Sequence, residues 1–312
     1  AFGEPVRLEV HGLSEARADA ALRDAFDAIR GIEELTDPDL PAEGGGLADL
    51  NAAAGGAPVV LHPDLLDLLS RAHHFCVWSE GAHGPLGGNL YTLWGLRGPT
   101  PGIPPAPRVE QAAEEARCDR LKIDPATGRA QLAAGARADL HGFARGFAVD
   151  RAIEVLRSHG ADEAFVSVGW VWRALGAGPD GRGWRLVLPD LPGDAEGADT
   201  LVLDPLRLTS QAAAAASALH RPLVVGGERF APWIDQRSGQ PAEGVVATVA
   251  VSELAVDAEA LAATMLVLGN RQGSLRAGVL EPQPSVLWLL GSGEGVPMLA
   301  PVRWGRVTEN HR

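Results

Sequence analysis

The stretch ADLHGFARGFAVDRAIEVLRSHG, residues 138–160, holds the pattern on which the fold turns. Phe147, Ala148, Ala152, Ile153 and Leu156 recur at the 3.6-residue spacing of a helix packed along one side, and Gly160 stands where a left-handed residue closes such a helix. Gly142 and Gly146, at the head of the helix, let a ligand come close to the backbone. Free amides and the positive end of the helix dipole would suit a phosphate there. Directly after the helix, the apolar run at residues 165–168 reads as a buried strand, and it delivers Trp170 and Trp172 to the turn that follows.

Working outward, residues 6–11 read as a strand. Ser14 then caps an amphipathic helix to about residue 35, with Ala18, Ala21, Leu22, Ala25, Ile29 and Ile32 on one face. A loop rich in Pro and Gly spans residues 37–46, and Pro63 opens a second helix that reaches about residue 80. Residues 81–107 carry much Gly and Pro without a clean period, which predicts an ordered loop region. A short helix over 109–117 leads to a hairpin around Pro125-Ala126-Thr127-Gly128. Beyond residue 170 come short strand patterns at 184–189, 201–203, 223–225, 246–251 and 285–290. They are interrupted by LTSQAAAAASALH (208–220) and by a helix over 257–268 that Gly269 ends. Strands outnumber helices in this half, so the expected class is α+β, a sheet covered by helices.

Composition narrows the function. The net charge of -13 excludes the clustered basic face of a nucleic-acid binder. No apolar run reaches the roughly 18 residues a membrane span needs. Lys122 is the only lysine among 27 basic residues, a bias under which an arginine where lysine is usual says little. Cys76 and Cys118 make neither a disulfide framework nor a zinc site. Cys76, among Leu68, Leu69, Ala72 and Phe75, reads as a buried thiol. His73 and His74 lack the i, i+4 spacing of a metal pair. The chain begins at Ala1 without an initiator Met, the pattern of an exported, periplasmic protein after processing or of a chain trimmed at its start.

The segment DLHGFARGFAVDRA resembles the D-L-G-G-[IV]-A-K-G-[YF]-A-[VA]-D motif of the ApbE family, the FAD:protein FMN transferases. Ordered blocks along nearly the whole chain agree: LADLNAAA (47–54), LYTLWG (90–95), VSVGWVWRALG (166–176), LTSQ (208–211), IDQRSGQPAEGV (234–245) and AEALAATMLVLG (258–269). The resemblance implies one ApbE-like unit over residues 1–312, related to the T-fold, with an antiparallel-rich sheet under helices. Residues 1–107 form its N-terminal part and 108–312 the core with the FAD and metal motifs. It implies Mg²⁺-dependent cleavage of the FAD pyrophosphate and attachment of FMN to a Thr or Ser of a target protein. Positioning and electrostatics supply most of the rate in such chemistry.

Carried over residue by residue, Asp139 stands at the FAD-contacting aspartate. Gly142 stands where a backbone carbonyl ligates Mg²⁺, and Arg145 at the motif lysine. Thr209 and Ser210 fall on a T-[SG]-G turn, and Ile234 and Asp235 on an H-x-[IL]-[DN]-P block. The metal-binding D-x-x-x-T falls on Glu259 and Ala263, and Asp257 is the nearest further oxygen ligand. Arg145 and Glu259 are thus the candidate catalytic pair. His141, at the first motif glycine, is a candidate ligand or acid/base group, or a surface histidine. The departures are Pro232 for a histidine, Ala263 for a threonine, His83-Gly84-Pro85-Leu86 for F-D-P-T, and Gly169-Trp170-Val171-Trp172 for G-G-[DN]-[IV].

An indole beside a ligand either fills the old pocket or stacks on something in it. Three readings therefore stand: a divergent FMN transferase, a non-catalytic partner-binding protein with its FAD pocket blocked by Trp170, and a repurposed pocket lined by Trp170, His141 and Trp233.

Overall fold

The computed structural model describes residues 1–98, 101–188, 205–291 and 298–304. Its centre is a seven-stranded sheet with every neighbouring pair antiparallel and sheet order equal to chain order. The strands are β1 (Val6–His11), β2 (Glu163–Val168), β3 (Val171–Leu175), β4 (Ala212–Ser217), β5 (Val245–Ser252), β6 (Ser285–Leu290) and β7 (Met298–Val302). The helices are α1 (Glu15–Leu35), α2 (Leu47–Ala52), α3 (Pro63–Trp78), α4 (Gly88–Leu93), α5 (Ala106–Glu115), α6 (Ala144–Ser158) and α7 (Ala255–Ala277).

The strands sort their side chains with a period of two. Ala164, Val166, Val168, Val171, Ala212, Ala214 and Trp288 join the core under the helices. Phe165, Trp172, Ala174, Ala213, Ala215, Leu287 and Leu289 face the opposite way, where a hairpin supplies Trp184, Leu186, Leu206 and Leu208. On the helical side α1 packs on α6, α6 on α7, and α7 on β4 and β5. Trp172 is therefore a core aromatic of the hairpin side, and Trp170 lies partly buried at its edge.

Three sequence expectations change. Residues 208–220 are not an interruption, because Ala212–Ser217 is the middle strand of the sheet. Alanine is a poor strand former, but α7 packs directly on this strand, whose Ala212 and Ala214 are buried beneath it. The backbone of α7 comes so close that Thr248 Oγ1 of β5 donates to the Ala262 carbonyl at 2.6 Å. Residues 81–107 include α4 and the start of α5, whose brevity hides their period. Gly269 does break the last helix, at φ 71°, but a further helical piece runs on to Ala277. The strand pattern at 201–203 lies outside the described residues.

Cys76 of α3 is also not a free thiol, since it is disulfide-bonded to Cys118, 42 residues on. Helical periodicity foretold the burial of Cys76 but not that the chain returns to it after α5. Closing a loop of this length is worth about 4 kcal/mol. Replacing both cysteines by serine is therefore expected to lower stability by about that amount in urea unfolding. An unchanged midpoint would show that the bridge does not constrain the unfolded chain.

Candidate functional site

The loop before α6 is pinned from both sides. Asp139 pairs with Leu86 in a parallel bridge, its amide donating to the Pro85 carbonyl at 2.8 Å. Its buried carboxylate receives Arg97 in bidentate fashion, Nε at 2.7 Å and Nη2 at 2.9 Å, and the His141 amide at 2.9 Å. Burial opposes that charge, but Arg97 and the neighbouring donors outweigh it and hold the carboxyl below its usual range. Arg97 was not singled out from the sequence. In a chain where nearly every basic residue is arginine, it carries no signal.

Gly142 follows at φ +84°, and a Cβ there would lie 2.7 Å from His83 Nε2 and 3.2 Å from the Ala263 methyl. Only glycine fits this turn. His83 beneath it is fully buried, stacked on Phe143 at 4.8 Å and 6°, and neither ring nitrogen has a hydrogen-bond partner among the described residues. Burial, helped by nearby His141, pushes its pKa down to about 3. His141 stacks on Trp233 at 4.5 Å, and its buried Nε2 is likewise unpartnered. Burial drives His141 down to about 4 although Asp139 pulls the other way, so its ring is neutral near pH 7.

The head of α6 is not left open for a phosphate. Glu259 of α7 accepts the Gly146 amide at 2.7 Å on Oε2 and Arg145 Nε at 2.8 Å on Oε1. The anion at this helix N-terminus is therefore a side chain of the protein itself. Two contacts set the position of Glu259. Gly146 lets the helices touch, since a Cβ there would lie 2.4 Å from the Ala255 carbonyl oxygen. Asp150 of α6 caps α7, taking the Ala255 amide at 2.8 Å, the Val256 amide at 3.0 Å and Arg173 Nη1 at 2.6 Å.

Two adjoining cavities of about 320 Å³ each open around this centre and share Glu4, His141, Arg145 and Arg221. The first is polar, with Glu33, Asp37, Arg97, Asp139, Gly142 and Glu259 on its walls. The second is lined by Leu96, Trp170, His220, Leu223, Pro232 and Trp233. Trp170 lies along this wall, its ring 4.3 Å from that of His220.

Asp139, His141, Gly142, Arg145, Glu259 and Trp170 thus meet at one cleft. The remaining candidates do not reach it. Ser210 is held at the far end of β3, its Oγ accepting the Gly176 amide at 3.0 Å, and Thr209 sits beside Gly183. Ile234 is a core residue, and Asp235 pairs with Arg237 at 2.6 Å. Asp257 faces α3, 3.9 Å from Arg71. Arg97, His220 and Arg221 are cleft residues that the motif reading passed over.

A model of the ApbE family matches residues 2–281. The chain belongs to the ApbE family. It is 30% identical over 271 residues to the FAD:protein FMN transferase of Treponema pallidum, an alignment covering 81% of this chain and 73% of that protein. It is also 30% identical to that of Rhodobacter capsulatus, over 86% of this chain and 50% of the longer relative. Among solved structures, the ApbE protein of Thermotoga maritima superposes with a TM-score of 0.82 at 23% identity, over 96% of this chain and 94% of that one. The flavin transferase ApbE of Vibrio cholerae gives 0.80 at 19%, with the same coverage. The mixed α/β architecture with its antiparallel sheet is thus the ApbE fold.

The Mg²⁺ that the resemblance implies does not fit this member's side chains. Mg²⁺ takes about six oxygens in near-octahedral order. Here both Glu259 oxygens are already bound, Ala263 offers a methyl, and Asp257 faces elsewhere. Thr264, one position late, is buried with its hydroxyl unpartnered. Among the described residues no group of three His, Cys, Asp or Glu side chains could hold a metal.

Proposed function

We propose that this protein binds FAD across the two cavities and transfers its FMN half to a Ser or Thr hydroxyl of a target protein. The observation that carries the reading is the junction of the cavities, where Arg145 and Arg221 line both. Two guanidinium groups there suit a pyrophosphate, with an aromatic slot on one side and a polar chamber on the other. Trp170, Trp233 and His220 offer flat faces to a flavin or adenine ring.

In the reaction, the acceptor oxygen forms a bond to the phosphorus on the FMN side. The bond from that phosphorus to the bridging oxygen breaks, and AMP leaves with that oxygen. The hydroxyl proton passes to His141, the neutral imidazole on the walls of both cavities. Arg145 faces the charge that develops on the phosphates.

The test is a calorimetric titration with FAD, followed by assay of AMP release on adding a Thr-containing acceptor peptide or protein. Saturable binding and AMP release are expected; no binding at high micromolar FAD would sink the reading. Trp170→Ala serves as a second measurement. As a stacking wall, the indole contributes about 0.5–1.5 kcal/mol, so its loss should weaken FAD binding roughly 2- to 12-fold. Tighter binding would mean instead that Trp170 obstructs the pocket.

The Cys76–Cys118 bridge supports an oxidising compartment, in keeping with an exported, periplasmic protein. Among the described residues no helix is long and apolar enough to cross a membrane.

A further inference from the structure

We propose that the Arg145–Glu259 pair takes the place of a divalent cation in this protein. The guanidinium is the fixed positive charge that faces the pyrophosphate, and Glu259 is the residue that positions it. The proposal rests on the flavin reading above and adds that FAD binding here needs no metal.

Three observations carry it. Glu259 is only 4% exposed, and its oxygens already accept from Arg145 Nε and the Gly146 amide, so an incoming cation would have to share this buried carboxylate with a guanidinium of the same sign. The positions that could complete an oxygen set do not: Ala263 packs its methyl toward Gly142, and Asp257 is drawn to Arg71. Arg145 is 21% exposed, lines both cavities, and its terminal Nη nitrogens make no protein hydrogen bond among the described residues. One edge of the guanidinium is thus fixed by Glu259, while the other is free for two phosphate oxygens. A planar, permanently charged fork meets phosphate in that way, whereas a lysine ammonium acts as a point charge.

The first experiment uses Mn²⁺ alone with the full chain, read by the signal of free Mn²⁺ in electron paramagnetic resonance. No bound Mn²⁺ at millimolar concentration is expected. One bound ion that is lost in Glu259→Gln would overturn the proposal whether or not flavin binds.

The second measures FAD affinity by calorimetry in EDTA and in Mg²⁺. The two values should agree within about twofold, and a gain of about tenfold or more with Mg²⁺ would overturn the proposal. Arg145→Ala should weaken FAD by about 10- to 100-fold in both media, with partial recovery in Arg145→Lys. Because a lone buried Glu259 could unfold the single variant, Arg145→Met with Glu259→Met provides a folded comparison with no stranded charge. The same loss is expected there, and unchanged affinity would overturn the role of Arg145. If FAD binds in neither medium, the flavin reading and the phosphate half of this proposal fall together, while the Mn²⁺ titration still decides the metal half.

Discussion

Alanine in place of Asp150 is expected to cost about 3–5 kcal/mol of stability, a drop in melting temperature on the order of 10 °C. The buried carboxylate serves three partners at once, capping two amides of α7 and neutralising Arg173, and so ties α6 to α7. Its removal leaves the guanidinium of Arg173, itself only 12% exposed, without its hydrogen-bonded counter-charge, and leaves two helix amides unmet. Burial pushes the Asp150 carboxyl up to about 6 despite these donors, and at 5% exposure little water is at hand to take over once the side chain is gone. Asp150→Asn, which keeps an acceptor, should lose less than Asp150→Ala. Urea unfolding decides the point, and a loss under about 1 kcal/mol for alanine would contradict the capping role.

Acid is expected to weaken the fold by about 4 kcal/mol between pH 7 and pH 4 through three buried groups. His83 and His141 have folded pKa values of about 3 and about 4 against 6.5 when unfolded. Below pH 6.5 the unfolded chain therefore binds two protons that the native protein refuses, and stability falls as pH falls. Asp150 works in the opposite direction, because its folded value of about 6 lies above its ordinary 3.8. Between pH 6 and 4 the native state binds that proton more tightly and offsets one histidine. The net slope is about 1–1.4 kcal/mol per pH unit from pH 6.5 down to pH 4. His83→Leu should flatten the curve, leaving almost no slope between pH 6 and 4. If the variant keeps the parent's slope in urea melts across this range, His83 is not buried neutral.

Much of this architecture was visible in local pattern. The apolar spacing after Gly146 gave α6, and Ser285–Leu290 emerged as a strand with the bounds the sequence suggested. What failed was non-local. Ala212–Ser217 becomes a central strand through its pairing with β3 and β5 under the cover of α7, and the bridge to Cys118 depends on where a distant loop returns. The site divides in the same way. Asp139, His141, Gly142 and Arg145 come together because they are one loop and the first turn of its helix, and Glu259 joins them because Gly146 and Asp150 bring α7 against α6. Thr209 and Asp235 lay in motif blocks of their own, and the fold sets Thr209 beside Gly183 and pairs Asp235 with Arg237, neither on the walls of the cleft.

The walls of the cleft also differ in how firmly they are anchored. The bank formed by α6 and α7 is clamped by Asp150, Glu259 and close helix contact. The facing bank includes Phe2 and Glu4, which lead into β1, an edge strand held by a single ladder to β2. Backbone that is paired on one side only opens at lower cost than a clamped helix pair. One shore of the channel is bedrock and the other is a jetty moored along one line, so the cleft widens at least cost on the side of β1.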